Sequence, residues 1–194
     1  MSSNLAVTPG QTVGPFFGYA LPYPGGNLLV PQHHPDAVRL HGTVLDGDGQ
    51  PVPDALLEIW QADGDGRPAQ RPGSLHRDGY TFTGWGRSET DRVGHYHFST
   101  LEPGRDDQGA APFIALTVFA RGLMHRLHTR IYLPGAAGLD DDPFLRSVPE
   151  DRRTTLIAHR DAAASLRFDV HLQGQQETVF LSFASTASTA PTWR

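Results

Sequence analysis

Between residues 38 and 44, Val38, Leu40 and Val44 alternate with Arg39, His41 and Thr43. A two-residue period fits a strand with one buried face and does not fit a helix. Asp46-Gly47-Asp48-Gly49 and Pro51-Val52-Pro53 break the run, and Ala55-Leu56-Leu57-Glu58-Ile59-Trp60 begins another. The Asp-Gly pairs supply the positive φ angles of a tight reversal, so His41–Gly66 reads as strand, turn, strand: a sandwich-type hairpin.

The rest of the chain agrees with that reading. Among 194 residues there are 21 Gly and 16 Pro, which makes turns frequent and favours many short strands. Val93–Thr100 alternates again, with Tyr96 and Phe98 on one face and His95 and His97 on the other. Phe113–Phe119, Thr129–Leu133, Ser165–Leu172 and Thr178–Phe183 read as strands, the last two joined by a turn at Gln173-Gly174-Gln175-Gln176. A single short helix is expected over Asp151–Ala158, with Ser147 and Glu150 as a capping box and Pro149 in its first turn. Asp63–Gly84 reads as a long loop with Tyr80 and Phe82 as anchors, and Asp140-Asp141-Asp142 as a solvated acidic turn before Pro143.

The expected organisation is one all-β domain over residues 1–194. Residues 1–37 form an extended, proline-rich arm, 38–183 a β-sandwich core with long loops, and 184–194 a loose tail. The arm carries Val13, Phe16, Phe17, Leu21, Leu28 and Leu29, so it should pack on its own sandwich or on another chain.

Composition narrows the chemistry. A formal net charge of -5 disfavours nucleic acid, and all 16 basic residues are arginine. With no cysteine there is no disulfide, thiolate nucleophile or Cys-based zinc site. No basic start followed by a long apolar run opens the sequence and no stretch reaches membrane-spanning length, so a cytoplasmic protein is the expectation. His95 and His97 share one strand face and form the best-placed imidazole pair, but alternation puts that face outside the core. His125 and His128 have a spacing that suits helical ligands, on a segment that reads as strand. No phosphate-binding glycine loop and no Gly-x-Ser-x-Gly elbow is present.

Three strings carry a family resemblance. They are the 41–66 segment, Gly86-Arg87…Thr90-Asp91…Gly94-His95-Tyr96-His97-Phe98-Ser99-Thr100-Leu101-Glu102-Pro103-Gly104, and Arg167-Phe168-Asp169-Val170 through Glu177–Phe183. Together they resemble the intradiol ring-cleaving dioxygenases over roughly Thr8 to Phe183. That family holds a ferric ion with two tyrosines and two histidines, the phenolates being hard anionic donors suited to Fe(III). In its catalytic members a Tyr-Pro-Trp follows the Pro-Gly, and a Pro-x-His-x-His opens the next strand. Here Arg105-Asp106-Asp107-Gln108 follows Gly104, and Ala111-Pro112-Phe113-Ile114-Ala115 opens the strand, so Phe113 and Ala115 stand where the histidines would.

A retained scaffold without the ligand set is similar to the family's iron-free branch. Those chains pair with an iron-bearing partner chain in a hetero-oligomer and are inactive alone. The resemblance therefore implies no metal in this chain, Fe(III) in the partner, and an aromatic substrate and O2 at a shared pocket. It places Thr12, Gly14 and Pro15 at that pocket, where Gly14 permits close backbone approach and Pro15 stiffens the loop. Arg130 is the candidate for steering the substrate's carboxylate, or else for a structural or intersubunit ion pair. Two alternatives remain open on sequence: an independent His-ligated metalloenzyme, and a non-catalytic sandwich that binds a carbohydrate or protein.

Overall fold

The computed structural model of the chain describes residues 20–69, 77–107, 109–182 and 192–193. Its strands are β1 (Val38–Leu45), β2 (Leu56–Gln61), β3 (Trp85–Glu89), β4 (His95–Thr100), β5 (Phe113–Phe119), β6 (Leu127–Tyr132), β7 (His159–Ala162), β8 (Ser165–Arg167), β9 (Val170–His171), β10 (Leu181–Ser182) and β11 (Thr192–Trp193). One sheet has the order β4-β1-β8-β7 with β9 also on β1, and a second has the order β3-β2-β5-β6. The sequence alternation becomes burial alternation: Leu40, Val44, Phe98, Ile59, Ile114, Leu116, Val118 and Ile131 face a common core between the sheets.

β1 and β2 do not form the expected hairpin. The Asp46–Gln50 turn closes locally, with the Val52 amide donating to Val44 O at 2.9 Å, and the chain then crosses to the other sheet. Pro51 and Pro53 carry no N–H, so the ladder beside β1 cannot extend past Val52. β1 instead pairs with β4, and β2 with β3 and β5.

The expected strand Ser165–Leu172 is broken at Phe168-Asp169. The Phe168 carbonyl turns inward to accept from the Tyr96 hydroxyl at 2.6 Å, and Asp169 Oδ1 takes the Thr43 amide at 3.0 Å. Gly42 makes room for this turn, since a Cβ there would lie 1.9 Å from Phe168 O. Among the described residues of the segment read as strand Thr178–Phe183, Leu181–Ser182 are the ones in a strand, and they pair with Thr192–Trp193. Residue 183, and residues 184–191 and 194 of the expected loose tail, lie outside the described residues.

The helices also differ from expectation. There are two short ones, α1 (Pro143–Ser147) and α2 (Glu150–Arg153), followed by a 3-10 turn at Thr154–Leu156. Pro149 caps α2 without a side-chain hydrogen bond, and the Ser147 hydroxyl donates back to Phe144 O at 2.7 Å, so no capping box forms. Asp142 is buried, not solvated: its Oδ1 caps α1 through the Phe144 and Leu145 amides, each at 2.9 Å. The helices cover the outer face of β6 with a second apolar cluster of Tyr132, Phe144, Leu145, Val148, Leu156 and Val179. In the long loop Phe82 packs on the core, whereas Tyr80 is 85% exposed and anchors nothing. Of the arm, residues 1–19 lie outside the described residues, while Leu29 and Val30 are buried and Leu29 joins the chain's own core.

Candidate functional site

The outer face of the β3-β2-β5-β6 sheet carries Phe113 and Ala115, the positions at which the sequence resemblance expects histidines. Strand alternation sends Phe113, Ala115 and Thr117 outward while Ile114, Leu116 and Val118 fill the core. Register then sets two rows across the face. One runs Trp85, Trp60, Ala115, Arg130, and the next runs Arg87, Glu58, Thr117, His128. The second row is internally bonded: Arg87 Nη2 meets Glu58 Oε1 at 2.5 Å, and Thr117 Oγ1 meets His128 Nδ1 at 3.1 Å. The first row is not. Trp60 is 44% exposed, and Ala115, with a single methyl, stands between it and Arg130 in the row.

Arg130 lies over aromatic rings. Its guanidinium carbon lies 4.2 Å from the Phe113 ring centroid and 5.0 Å from that of Phe144, within cation–π range. Nη1 donates to the Tyr132 hydroxyl at 3.1 Å, which in turn donates to Asp142 Oδ1 at 3.1 Å. The negative charge nearest to Arg130 along this chain of bonds is therefore one phenol away. Among the described residues no carboxylate lies within ion-pair distance of Arg130, so its charge is oriented by the face but not neutralised there.

The donor set does not suit a ferric ion. Phe113 has no lone pair to offer and Ala115 has no functional group. Burial pushes the Tyr132 phenol well above its ordinary range, and its proton is committed to Asp142. Burial does the same to Tyr96, whose hydroxyl donates to Phe168 O inside the core. A phenolate ligand would require either ring to lose the proton its partner holds. Among the described residues no group of three His, Asp or Glu is placed to hold a metal ion.

The candidate metal-ligating histidines do not converge. His41, His95 and His97 lie together on the outer face of the first sheet, with ring centroids 5.7 Å apart for His41 and His95 and 6.4 Å for His95 and His97. Each has another partner: His41 Nε2 meets Asp161 Oδ2 at 2.9 Å, His95 faces Arg39 Nη2 at 3.4 Å, and His97 meets Asn27. His128 is held by Thr117 and accepts from Arg126 Nε at 3.0 Å, and burial and Arg126 depress its pKa. His125 is exposed. Thr12, Gly14 and Pro15 lie outside the described residues. The Tyr132–Asp142 pair behind Arg130 is not apparent in the sequence reading, although Asp142-Pro143 carries the usual signature of a helix start.

Comparison with known proteins places the chain in context. The family described as dioxygenase matches residues 14–174. The chain is 41% identical to a protocatechuate 3,4-dioxygenase alpha chain from Burkholderia cepacia, over 92% of this chain and 98% of that one. It is 33% identical to the beta chain of the same organism's enzyme, over 74% of this chain and 67% of that one. Among solved structures, the dioxygenase domain of a dioxygenase and carbohydrate-binding protein fusion from Streptomyces sp. SirexAA-E superposes with a TM-score of 0.59 at 25% identity, covering 86% of this chain and 98% of that domain. Among the described residues no helix is long and apolar enough to cross a membrane.

Proposed function

Because the chain belongs to the intradiol dioxygenase family, we propose that it serves as the iron-free alpha chain of a protocatechuate 3,4-dioxygenase, paired with a beta chain that binds the Fe(III). In that assembly the beta chain's Fe(III) supports O2-dependent intradiol cleavage of protocatechuate to 3-carboxy-cis,cis-muconate. This chain contributes pocket walls and charge, and it is inactive alone.

The observation that carries the reading is the Phe113–Ala115–Arg130 arrangement. The two strand positions that would present imidazoles instead present a ring and a methyl, and a guanidinium lies 4.2 Å from the centroid of that ring. A fixed cation flanked by a ring and a methyl cannot activate dioxygen, but it can attract and orient a carboxylate. Arg130 is accordingly the residue assigned to the protocatechuate carboxylate. Thr12, Gly14 and Pro15 are assigned to the wall of the shared pocket, where Gly14 admits close backbone approach and Pro15 limits the loop's freedom. Family membership supports this division of labour, because the chain keeps the scaffold along nearly the full length of an alpha chain.

Metal analysis of the chain purified alone and in complex tests the proposal. Iron confined to the partner is the expected result. Stoichiometric iron in the isolated chain would overturn it.

A further inference from the structure

The segment from Leu21 to Val30 is a strap laid along the seam between the two sheets. On one side Gly26 O accepts the Arg87 amide of β3 at 2.8 Å. On the other, Asn27 O accepts the Ser99 amide of β4 at 2.9 Å and the Leu29 amide donates to Ser99 O at 2.8 Å. Arg87 Nη1 also holds Leu21 O at 2.8 Å, and Leu29 and Val30 are buried beneath.

At the centre of the strap the Asn27 side-chain nitrogen lies 2.9 Å from His97 Nε2 and 3.3 Å from the His97 carbonyl oxygen. A carbonyl oxygen can only accept, so the Asn27 atom facing it is the NH2. His97 Nε2 must then be an acceptor too, which makes the ring neutral with its proton on Nδ1. We infer that the Asn27–His97 pair is an acid-sensitive latch for the strap: protonating His97 sets one donor against another and adds a cation to a face that already holds Arg39.

The surroundings give the protonated ring little relief. From β1 it meets Arg39 and His41, and from its own strand His95. The cavity of about 310 Å³ on the strap side is also lined by Tyr23, Arg87, Glu89 and Asp91. Glu58 is engaged by Arg87, Asp161 by His41, and Asp91 Oδ1 by the Val93 and His95 amides. Burial first, and then Arg39, His95 and His41, hold the His97 pKa below its ordinary value. A depressed folded-state pKa means that the latch is fully made above the unfolded imidazole value of about 6.5. It weakens as pH falls below that value and is lost as pH passes below the folded value. The strap follows the segment containing Thr12, Gly14 and Pro15, so the latch also fixes the point to which that segment is tethered.

Hydrogen exchange followed by mass spectrometry on the full-length chain tests this at about pH 7.5 and about pH 5. Protection of the 21–30 amides, corrected for intrinsic rates and referred to β5, should fall by up to about tenfold per pH unit as pH drops below about 6.5, and should level off beneath the lowered pKa of the latched His97. His97→Gln should abolish that dependence. In Asn27→Asp a carboxylate faces the ring and favours its charged form, so the imidazole pKa measured by NMR should rise and the strap should stay protected at about pH 5. Protection that is unchanged by acid in the wild-type chain, or that falls equally in His97→Gln, would overturn the latch. A His97 pKa that drops in Asn27→Asp would overturn it as well.

Discussion

The Arg130 guanidinium carbon lies 4.2 Å from the Phe113 ring centroid, one strand away and diagonal to its cross-strand partner Ala115. The contact holds a permanent cation on the outer face of the β3-β2-β5-β6 sheet. The guanidinium stacks over the Phe113 ring, Tyr132 fixes one of its nitrogens, and the remaining N–H groups are oriented by those two contacts.

Replacing Arg130 with alanine in the assembled enzyme is expected to raise KM for protocatechuate about tenfold or more, the scale of one lost charge-assisted hydrogen bond of about 1.5–3 kcal/mol. Iron content should not change. Steady-state kinetics with metal analysis on the same sample checks both halves, and unchanged kinetics would remove Arg130 from the pocket.

Restoring two imidazoles should not restore a metal centre. The Phe113→His, Ala115→His double variant is expected to stay colourless and iron-free. The phenols of Tyr96 and Tyr132 remain committed to Phe168 O and Asp142, and Arg130 repels a cation beside them. Metal analysis after incubation with ferric iron, together with a search for phenolate-to-iron absorption, gives the answer.

Asp142→Ala should destabilise the fold by about 2–3 kcal/mol, from a lost N-cap plus a buried hydroxyl without an acceptor. Its carboxylate serves the Phe144 and Leu145 amides and the Tyr132 hydroxyl together. Denaturant unfolding measures the loss. Asp141→Ala, at an exposed neighbouring position, is the control and should shift the midpoint little.

Tyr96→Phe removes the hydroxyl that turns the Phe168 carbonyl into the core, and it should cost about 1–3 kcal/mol for an orphaned buried acceptor. Gly42→Ala should cost more, because the added methyl meets the same backbone oxygen at 1.9 Å and neither strand can yield cheaply. If the two variants unfold at the same denaturant concentration as the wild-type chain, the account of the β8–β9 break fails.

The strands were legible because their burial follows local alternation: β1, β4 and β5 fall where Val38–Val44, Val93–Thr100 and Phe113–Phe119 put them. What escaped depends on partners remote in sequence. The break at Phe168-Asp169 requires Tyr96 and Gly42, 72 and 126 residues from the groups they meet. The switch of sheets between β1 and β2 follows from Pro51 and Pro53, but alternation alone cannot say which neighbours a strand will take. Asp142 was misread because three successive aspartates suggest solvent, whereas helix capping draws the last of them inward. At the candidate site, the side chains of Phe113 and Ala115 and their shared outward face follow from the alternation of β5. The placement of Arg130 over Phe113 needed the register of β5 and β6 and the helix that brings in Phe144.

Co-expression with an iron-bearing beta chain, followed by purification through a tag on this chain alone, tests the central claim most directly. The account predicts a complex that retains both chains, carries all of its iron on the partner, and cleaves protocatechuate, while this chain by itself is iron-free and inactive. Failure to retain the partner, or iron-dependent ring cleavage by the isolated chain, would contradict it.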